Sequence, residues 1–257
     1  MRITITGANG RIGAHLTRLL LARGHHVVAA SPGTGVDTVT GDGLSTAVAR
    51  ADVVVDVTDA PSFADAAVMD FFQTSGRNLL AAELAAQVRH HVALSVVGAD
   101  RLPGSAYMRA KAAQEQLVGH GLVPYTVVRS TQSFECLDTI GHAGRDGRAI
   151  RLSPVLMQPI AAADVATILA DVAEADACDG RVDIAGPERL RQDEVVRRLL
   201  AARHDTRTVL TDPAVYYFGA AADDTTLVPA RPWRLGGTRF SDWLSAQAVA
   251  ACAARTR

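Results

Sequence analysis

Apolar residues follow two alternating patterns over the first 130 residues of the chain. Residues 3–6 and 52–57 are short runs rich in β-branched side chains, which is typical of strands, and the second run is apolar at nearly every position, as in a strand buried on both faces. Between them, residues 11–23 place Ile12, Leu16 and Leu20 at helical spacing, and Gly24 ends that pattern.

The same alternation continues to residue 130. Strand patterns cover residues 27–30, 92–97 and 125–129, and helical patterns cover the stretch after Pro61 and residues 105–120. Ser62 is the predicted N-cap of the first of these helices, and Gly76 is expected to bend or divide it. Strands that alternate with helices of this length predict an α/β fold built on a Rossmann-type, doubly wound parallel sheet.

The pattern becomes less regular after residue 130. Helices are predicted near residues 134–140, from about 164 and over 193–203, with strands at 149–152 and 182–185, and several prolines divide the region. We therefore expect residues 1–130 to form the Rossmann core. Residues 131–257 are expected to form a smaller substrate lobe over the carboxyl edge of the sheet, with some elements returning to the core.

Composition narrows the class of protein. The chain has 257 residues, 48% of them apolar, and a net charge of −1 with no run of basic residues, which argues against nucleic acid or an anionic membrane as partner. No apolar run is long enough to span a bilayer, and the start of the chain lacks the apolar stretch of a secretory signal. The three cysteines, Cys136, Cys178 and Cys252, show no metal spacing. We expect reduced thiols, no metal site, a cytoplasmic location, and a monomer or homodimer.

A glycine-rich segment joins the first strand to the first helix. Gly7 allows a tight turn, Gly10 lets the backbone approach a pyrophosphate, and Gly13 lets the helix pack close to the strand. The free amides of the helix N-terminus then hold the anion. The sequence thus predicts a dinucleotide site whose ligands in this loop and after the third strand are Gly7, Asn9, Gly10, Arg11, Ile12, Gly13, Val57 and Thr58.

The residues after the second strand bear on which dinucleotide binds. An NAD site usually ends this strand with an acid that accepts from the ribose 2′-hydroxyl, whereas here the strand ends in Ala30 and Ser31. Ser31 and Arg11 are expected to hold a 2′-phosphate, which favours NADP(H). NAD(H) remains the alternative if a folded loop brings Asp37 to the ribose. Asp42 either touches the adenine or caps the next helix.

Tyr107 and Lys111 lie four residues apart on one predicted helix face, and Ser95 stands in the buried strand before it. Lys111 is the one lysine among 26 basic residues, which suggests a role that arginine does not fill. Its charge would lower the pKa of Tyr107, Tyr107 would give a proton to a carbonyl oxygen, and Ser95 would hold that oxygen. Lys111 would also hold the nicotinamide ribose. The alternative is a surface lysine lying over a half-buried tyrosine.

These residues resemble the short-chain dehydrogenase/reductase superfamily, with its Ser, Tyr and Lys. More closely, the chain is similar to atypical members related to NmrA and to the triphenylmethane reductase type, over nearly its whole length. The similar segments are residues 6–13, 94–100, 107–112, 125–129, 158–166 and 238–244. Two features depart from the wider superfamily: Ser130-Thr131-Gln132 replaces the usual Pro-Gly, and the interval from Ser95 to Tyr107 is short.

The resemblance and the residues together predict an NADPH-dependent oxidoreductase. It would reduce a carbonyl, quinone or related electrophilic small molecule by hydride transfer, with Tyr107 as proton donor. One alternative is a non-catalytic NADP(H)-sensing regulatory protein. Another is a sugar-nucleotide epimerase or dehydratase, which would need a larger lobe and basic groups that residues 153–157 do not offer. The expected substrate pocket is lined by Thr58, Phe63, Thr131, Gln132, Phe134 and Met157.

Overall fold

The computed structural model describes residues 1–255 and their side chains as far as residue 249. The strands are β1 (Arg2–Thr6), β2 (His26–Ala30), β3 (Val53–Asp56), β4 (His90–Val96), β5 (Tyr125–Ser130), β6 (Arg145–Asp146), β7 (Ala149–Leu152), β8 (Leu156–Met157), β9 (Gly180–Ala185), β10 (Leu190–Arg191), β11 (Thr208–Thr211) and β12 (Arg234–Leu235). The helices are α1 (Arg11–Ala22), α2 (Leu44–Val48), α3 (Asp65–Ala85), α4 (Ala106–Gly119), α5 (Leu137–Ala143), α6 (Ala162–Glu174), α7 (Gln192–Ala202) and α8 (Phe240–Arg255), with 3₁₀ turns at Pro32–Thr34 and Phe134–Cys136. Within residues 1–255, every helix is too short or too polar to cross a bilayer.

A parallel sheet of seven strands forms the centre of the molecule, in the order β12-β9-β5-β4-β3-β1-β2. Helices α1 and α6 cover one face, and α2, α3 and α4 cover the other. The predicted doubly wound Rossmann-type α/β fold is therefore confirmed. The direction of winding reverses between β1 and β3, and sheets of this kind bind ligands outside the carboxyl ends of the strands at such a point.

The chain after β5 divides between the sheet and a separate lobe. Strands β9 and β12 extend the central sheet, and α6 packs on it. The remaining strands form two small sheets, β8 with β10 and β6 with β7 and β11. With α5 and α7, they surround an apolar cluster in which the Phe134 ring lies 5.2 Å from Phe240 and 5.5 Å from Trp243.

Helix α3 differs from the sequence prediction at two positions. It begins at Asp65 with Ala64 as its N-cap, so Ser62 lies outside it. It also runs without interruption through Gly76, where a bend was expected. A Cβ at Gly76 would lie 2.8 Å from Cδ2 of Leu117 on α4. The glycine therefore allows two helices to pack closely and does not divide one of them.

Candidate active site

Two of the loop glycines are required by internal packing. Gly7 has φ +75, a left-handed conformation, and a Cβ there would lie 2.7 Å from the carbonyl oxygen of Val57. A Cβ on Gly13 would lie 2.3 Å from the carbonyl oxygen of Gly7. Both contacts are with backbone that has no room to move, so these glycines keep the turn and α1 close to the sheet.

Gly10 is different, because its backbone conformation suits any residue and a Cβ there would make a single tight contact with the protein. Its φ of −71 and ψ of 170 suit any residue, and the nearest atom to a built Cβ is the Gly7 carbonyl oxygen at 3.2 Å. Gly10 lines a cavity and is the N-cap of α1, whose first turn has no acidic residue and no side-chain cap. The first amides of α1 have no intrahelical partner. A pyrophosphate fits this cradle, since the bare backbone and the free amides both face it.

The end of β2 has the features of a site for the adenosine half of the dinucleotide. The Asn9 side-chain amide donates to the Ser31 hydroxyl over 2.7 Å, which ties the glycine loop to the buried Ser31. Asp37 accepts from two amides of its own turn, at 2.7 and 3.2 Å, so its carboxylate is engaged locally. Asp42 is exposed and accepts from the Thr40 hydroxyl. It does not cap α2, whose N-cap is Gly43.

Arg11 extends toward the lobe and away from the role predicted for it. Its guanidinium donates to the carbonyl oxygen of Glu135 over 3.0 Å and lies 3.5 Å from the sulfur of Cys136. Ser31, in contrast, is in contact with Asn9 and Thr34. The structure therefore does not bring Arg11 and Ser31 together as expected, because the guanidinium is hydrogen-bonded to the Glu135 carbonyl on the other side of the loop.

A cavity of about 650 Å³ lies between the carboxyl ends of β1, β3, β4 and β5 and the lobe. Of the residues expected to bind cofactor or substrate, it is lined by Gly10, Arg11, Ile12, Val57, Thr58, Phe63, Thr131 and Gln132. Thr58 is fixed there, because its amide and hydroxyl both donate to the buried Asp56, at 3.0 and 2.6 Å. Phe134 and Met157 do not reach the cavity. They are 2% and 0% exposed within the core of the lobe, so their apolar character serves packing.

Two of the three expected catalytic side chains lie in the cavity wall. Tyr107 enters it from the first turn of α4, with its ring 5.4 Å from that of Phe63. Ser95 enters from β4, but its hydroxyl donates to Glu115 over 2.6 Å. Arg129 holds the same carboxylate with two hydrogen bonds, of 2.8 and 2.6 Å. Ser95 can accept a hydrogen bond from a bound molecule, whereas its proton is already committed to Glu115.

Lys111, the third expected catalytic residue, lies beneath the cavity wall. Its ammonium donates to the carbonyl oxygen of Leu94 over 2.7 Å and to Gln114, and the Phe72 ring covers it at 4.4 Å. Lys111 is 3% exposed and does not line the cavity. Burial lowers the pKa of Lys111, although nearby carboxylates oppose that change.

The expected lowering of the Tyr107 pKa is also wrong. Burial raises the pKa of this phenol well above its ordinary value, and the Asp59 carboxylate raises it further. Phe72 packs against both residues, with its ring 6.0 Å from that of Tyr107 and 4.4 Å from the ammonium of Lys111.

Sequence reasoning missed several residues of the cavity wall, among them Asp59, Tyr217 and Phe218. The position of Asp59, just after a buried strand, was a signal that the sequence did contain, since carboxyl ends of strands form the ligand crevice. Phe218 sits in a tight turn closed by reciprocal hydrogen bonds between Tyr217 and Ala220, at 2.8 and 3.1 Å. Its φ of +44 is strained for a bulky residue. Strain of this kind often accompanies function.

Comparison with known proteins agrees with this geometry. Residues 7–176 match the model of a family described as NAD(P)H-binding. A short-chain dehydrogenase/reductase superfamily protein from Agrobacterium tumefaciens with bound NAD is 20% identical, covers 98% of this chain and 97% of its own, and has a TM-score of 0.69. MoeE5 in complex with UDP-glucose and NAD is 17% identical, covers 99% of each chain, and has a TM-score of 0.75. Curated proteins give no significant match.

A third solved structure, dTDP-4-dehydrorhamnose reductase from Bacillus anthracis in complex with NADP, is 18% identical and covers 93% of this chain and 90% of its own, with a TM-score of 0.65. In the part of the chain that the structure describes, no cluster of three or more His, Cys, Asp or Glu side chains is placed to hold a metal ion. The glycine loop, the cavity at the switch point of the sheet and the match to the family model all indicate a dinucleotide site. The chain belongs to the NAD(P)H-binding family, on a fold of the short-chain dehydrogenase/reductase and NAD-dependent epimerase type.

Proposed function

We propose that the protein is an NADPH-dependent reductase of a neutral carbonyl, quinone or related electrophilic small molecule, with Tyr107 as the proton donor. The observation that carries the proposal is the position of Tyr107. Its phenol lies in the wall of the cavity that also contains Gly10 and the carboxyl ends of β3, β4 and β5. When bound, the dinucleotide supplies hydride to a substrate carbon.

The cavity wall supports a neutral, largely apolar substrate. Apolar side chains from several parts of the chain face it, among them Ile12, Val57, Phe63, Val96, Met108, Ile140 and Phe218. Among the side chains described, residues 1–249, Arg11 is the one cation in the wall, and it already donates to Glu135. A substrate diphosphate would leave its charges poorly paired in such surroundings.

We further propose that the protein binds NADP(H) in preference to NAD(H). The proposal rests on the end of β2 and on Ser31, without the contribution from Arg11 that the sequence suggested. Strand β2 ends without an acid, and the buried Ser31 hydroxyl is held by Asn9 at that point. An acid here would accept from a ribose hydroxyl and repel a 2′-phosphate. Arg11 makes no contribution to this preference, because its guanidinium is at the lobe.

A panel of ketones and quinones with NADPH, followed by loss of NADPH absorbance, tests the proposal. With any substrate found, Tyr107→Phe should reduce turnover by about 10²-fold, the usual contribution of a positioned general acid. NADPH affinity should change little, because the ring and its packing remain. Tyr216→Phe is the matched control, since that phenol is 67% exposed and outside the cavity. An unaltered rate in Tyr107→Phe would exclude the phenol as the acid.

A second candidate is a sugar-nucleotide epimerase or dehydratase. The sequence arguments against it were the small size of the lobe and the lack of basic groups, yet MoeE5, whose structure contains UDP-glucose, is covered over 99% of its length by this chain. Lobe size therefore does not separate the two functions, and the shortage of cations in the cavity is the remaining distinction. UDP-glucose belongs in the same panel: tight binding with interconversion of the sugar would favour the epimerase. NADPH binding without turnover of any compound would favour a sensor.

A further inference from the structure

Hydrogen bonds beneath the cavity connect helix α4 with the end of β3. The ammonium of Lys111 donates to the side-chain oxygen of Gln114, and the side-chain nitrogen of Gln114 donates to Oδ2 of Asp56 over 2.9 Å. Lys111 is 3% exposed, Gln114 is 2% exposed and Asp56, the last residue of β3, is 3% exposed. We call these three residues the buried network. In it, a neutral amide joins an ammonium to a carboxylate, and all three side chains lie outside the cavity wall.

The second oxygen of Asp56 holds both sides of the glycine turn. Oδ1 accepts from the Thr6 hydroxyl over 2.9 Å, and from the amide and hydroxyl of Thr58, at 3.0 and 2.6 Å. Thr6 precedes Gly7 directly, and it is paired in register with Asp56 between β1 and β3. A Cβ on Gly7 would lie 2.8 Å from the Thr58 nitrogen. Asp56 therefore fixes the residue before the turn and the backbone against which the turn packs.

The buried network defines a geometry more than it stabilises the fold. Burying a charged pair is unfavourable unless its groups are hydrogen-bonded, and well-packed apolar residues often stabilise a protein as well or better. Hydrogen bonds are directional, however, so they restrict where Thr6 and Thr58 can lie, which non-directional apolar contacts would not do. Burial lowers the pKa of Lys111, and the charge of Asp56 is the largest of the effects that oppose this change. The two charges thus support each other across the amide.

We propose that the buried network positions the glycine turn to receive the pyrophosphate of the dinucleotide, and that its three members act without touching the cofactor. The inference rests on dinucleotide binding at the glycine loop and holds for any reaction that follows. Lys111 is the far end of the network, and its second hydrogen bond, over 2.7 Å, is to the carbonyl oxygen of Leu94 on β4. The ammonium thereby ties α4 and β4 to the strand that ends beside the turn.

This role accounts for the one lysine among 26 basic residues. The ammonium is enclosed by the Leu94 carbonyl, the Gln114 side chain and the Phe72 ring, which lies 4.4 Å away. A guanidinium is planar and wider and carries its donors in a fixed fork, so it would have to displace one of these three groups. A compact ammonium is the cation that fits this space.

The first experiment separates positioning from direct contact with the nicotinamide ribose. ADP contains the pyrophosphate but lacks that ribose, so it reports on the glycine turn without the nicotinamide half. Lys111→Met should weaken the binding of NADPH, measured by calorimetry, and of ADP, measured by displacement of NADPH, by the same factor of about 10, which is within the usual range of coupling between sites. A loss confined to NADPH would indicate direct contact with the ribose and overturn the proposal, as would unchanged affinity for both.

A second experiment uses uncharged variants, which remain informative if Lys111→Met does not fold. Thr6→Val removes the hydroxyl that reaches Asp56 but keeps the shape of the side chain, and Gln114→Met breaks the middle of the buried network. Each should weaken NADPH binding by about 10-fold, whereas Thr6→Ser should keep the original affinity. Because both variants act through Asp56, the loss in the double variant should be smaller than the product of the single losses. Losses that multiply would overturn the proposal.

Thr4→Val is the matched control for Thr6→Val. The Thr4 hydroxyl, two residues earlier on β1, is also buried but donates to the Ala47 carbonyl oxygen, over 2.7 Å. Both valine variants lose one buried hydrogen bond, so their melting temperatures should fall by similar amounts, whereas NADPH affinity should fall in Thr6→Val alone. Equal losses of affinity would assign the effect to lower stability and overturn the proposal. None of these measurements needs a substrate, so they give the same answer whether or not the protein reduces a carbonyl.

Discussion

Replacing Gly10 with alanine should remove dinucleotide binding while leaving the fold intact. The protein atom nearest to the added Cβ would be the carbonyl oxygen of Gly7, at 3.2 Å. The backbone of Gly10, at φ −71 and ψ 170, accepts any residue. Alanine is a poorer N-cap than glycine but restricts the unfolded chain more. These effects oppose each other, so the free energy of unfolding should change by less than about 1 kcal/mol.

The loss of affinity follows from what the Cβ displaces. It points into the cavity where the anion would meet the first amides of α1. A hydrogen bond to a charged group contributes about 1.5–3 kcal/mol, and each 1.4 kcal/mol is tenfold in affinity. Loss of one such bond should therefore weaken NADPH binding by about 10- to 150-fold, which titration calorimetry can measure.

Gly13→Ala is the matched control, with the opposite outcome. Its Cβ would lie 2.3 Å from the Gly7 oxygen, inside the packed backbone, so it should destabilise the protein by about 1–3 kcal/mol or more. Thermal unfolding of both variants, beside the calorimetry, separates the two glycines. The reasoning would be refuted if Gly10→Ala bound NADPH as tightly as the unaltered protein, or if it were the less stable of the two variants.

Three other predictions concern cofactor choice, the cavity rim and the sheet. Ser31→Asp should shift the ratio of NADPH to NADH affinities toward NADH, whereas Arg11→Ala should leave that ratio unchanged; calorimetry with both cofactors decides. Phe218→Asn relieves the backbone strain of a left-handed residue but loses the ring contact with Tyr217. These effects oppose each other, so the free energy of unfolding should change by less than about 1 kcal/mol, while KM for an apolar substrate should rise. Glu83 is fully buried and 2.9 Å from His91, so Glu83→Ala should destabilise the protein by about 3–5 kcal/mol in denaturant unfolding. Replacing both residues by apolar ones should recover much of that loss.

The glycine loop was predictable because its signal is local. The conformation at Gly7 and the close approach at Gly13 depend on a few neighbouring residues and on a strand that follows a simple pattern. The parallel sheet was predictable for a similar reason, since strands such as β3 show their burial in nearly every residue. Positions at which one residue has to satisfy a single steric demand can be identified from the chain itself.

The direction of long side chains was not predictable. Arg11 was expected at the cofactor phosphate, yet its partner is a backbone carbonyl of Glu135, 124 residues further along the chain. Nothing in the local sequence distinguishes these two acceptors. Phe134 and Met157 show the same limit for apolar residues, because hydrophobicity predicts burial but does not say whether the neighbour is a ligand or another core side chain.

The residues proposed as catalytic were only partly placed by the sequence. Tyr107 and Ser95 reach the cavity as their spacing suggested, but a shared helix face did not bring Lys111 into contact with the phenol. Phe72, from a different helix, lies beside both residues. The spacing of two residues along a helix fixes their separation but not which other elements pack against them.

The burial of Lys111 also determines how this molecule can be handled and modified. It is the one lysine of the chain, it is 3% exposed, and its ammonium is occupied by Leu94 and Gln114. Reagents and enzymes that act on lysine amines, such as acylating dyes, cross-linkers and acetyltransferases, therefore find no lysine side chain on the folded surface. Attachment of such a label at Lys111, as distinct from the exposed amine of Met1, would report that α4 has separated from the sheet, which makes labelling of this one side chain a probe of partial unfolding.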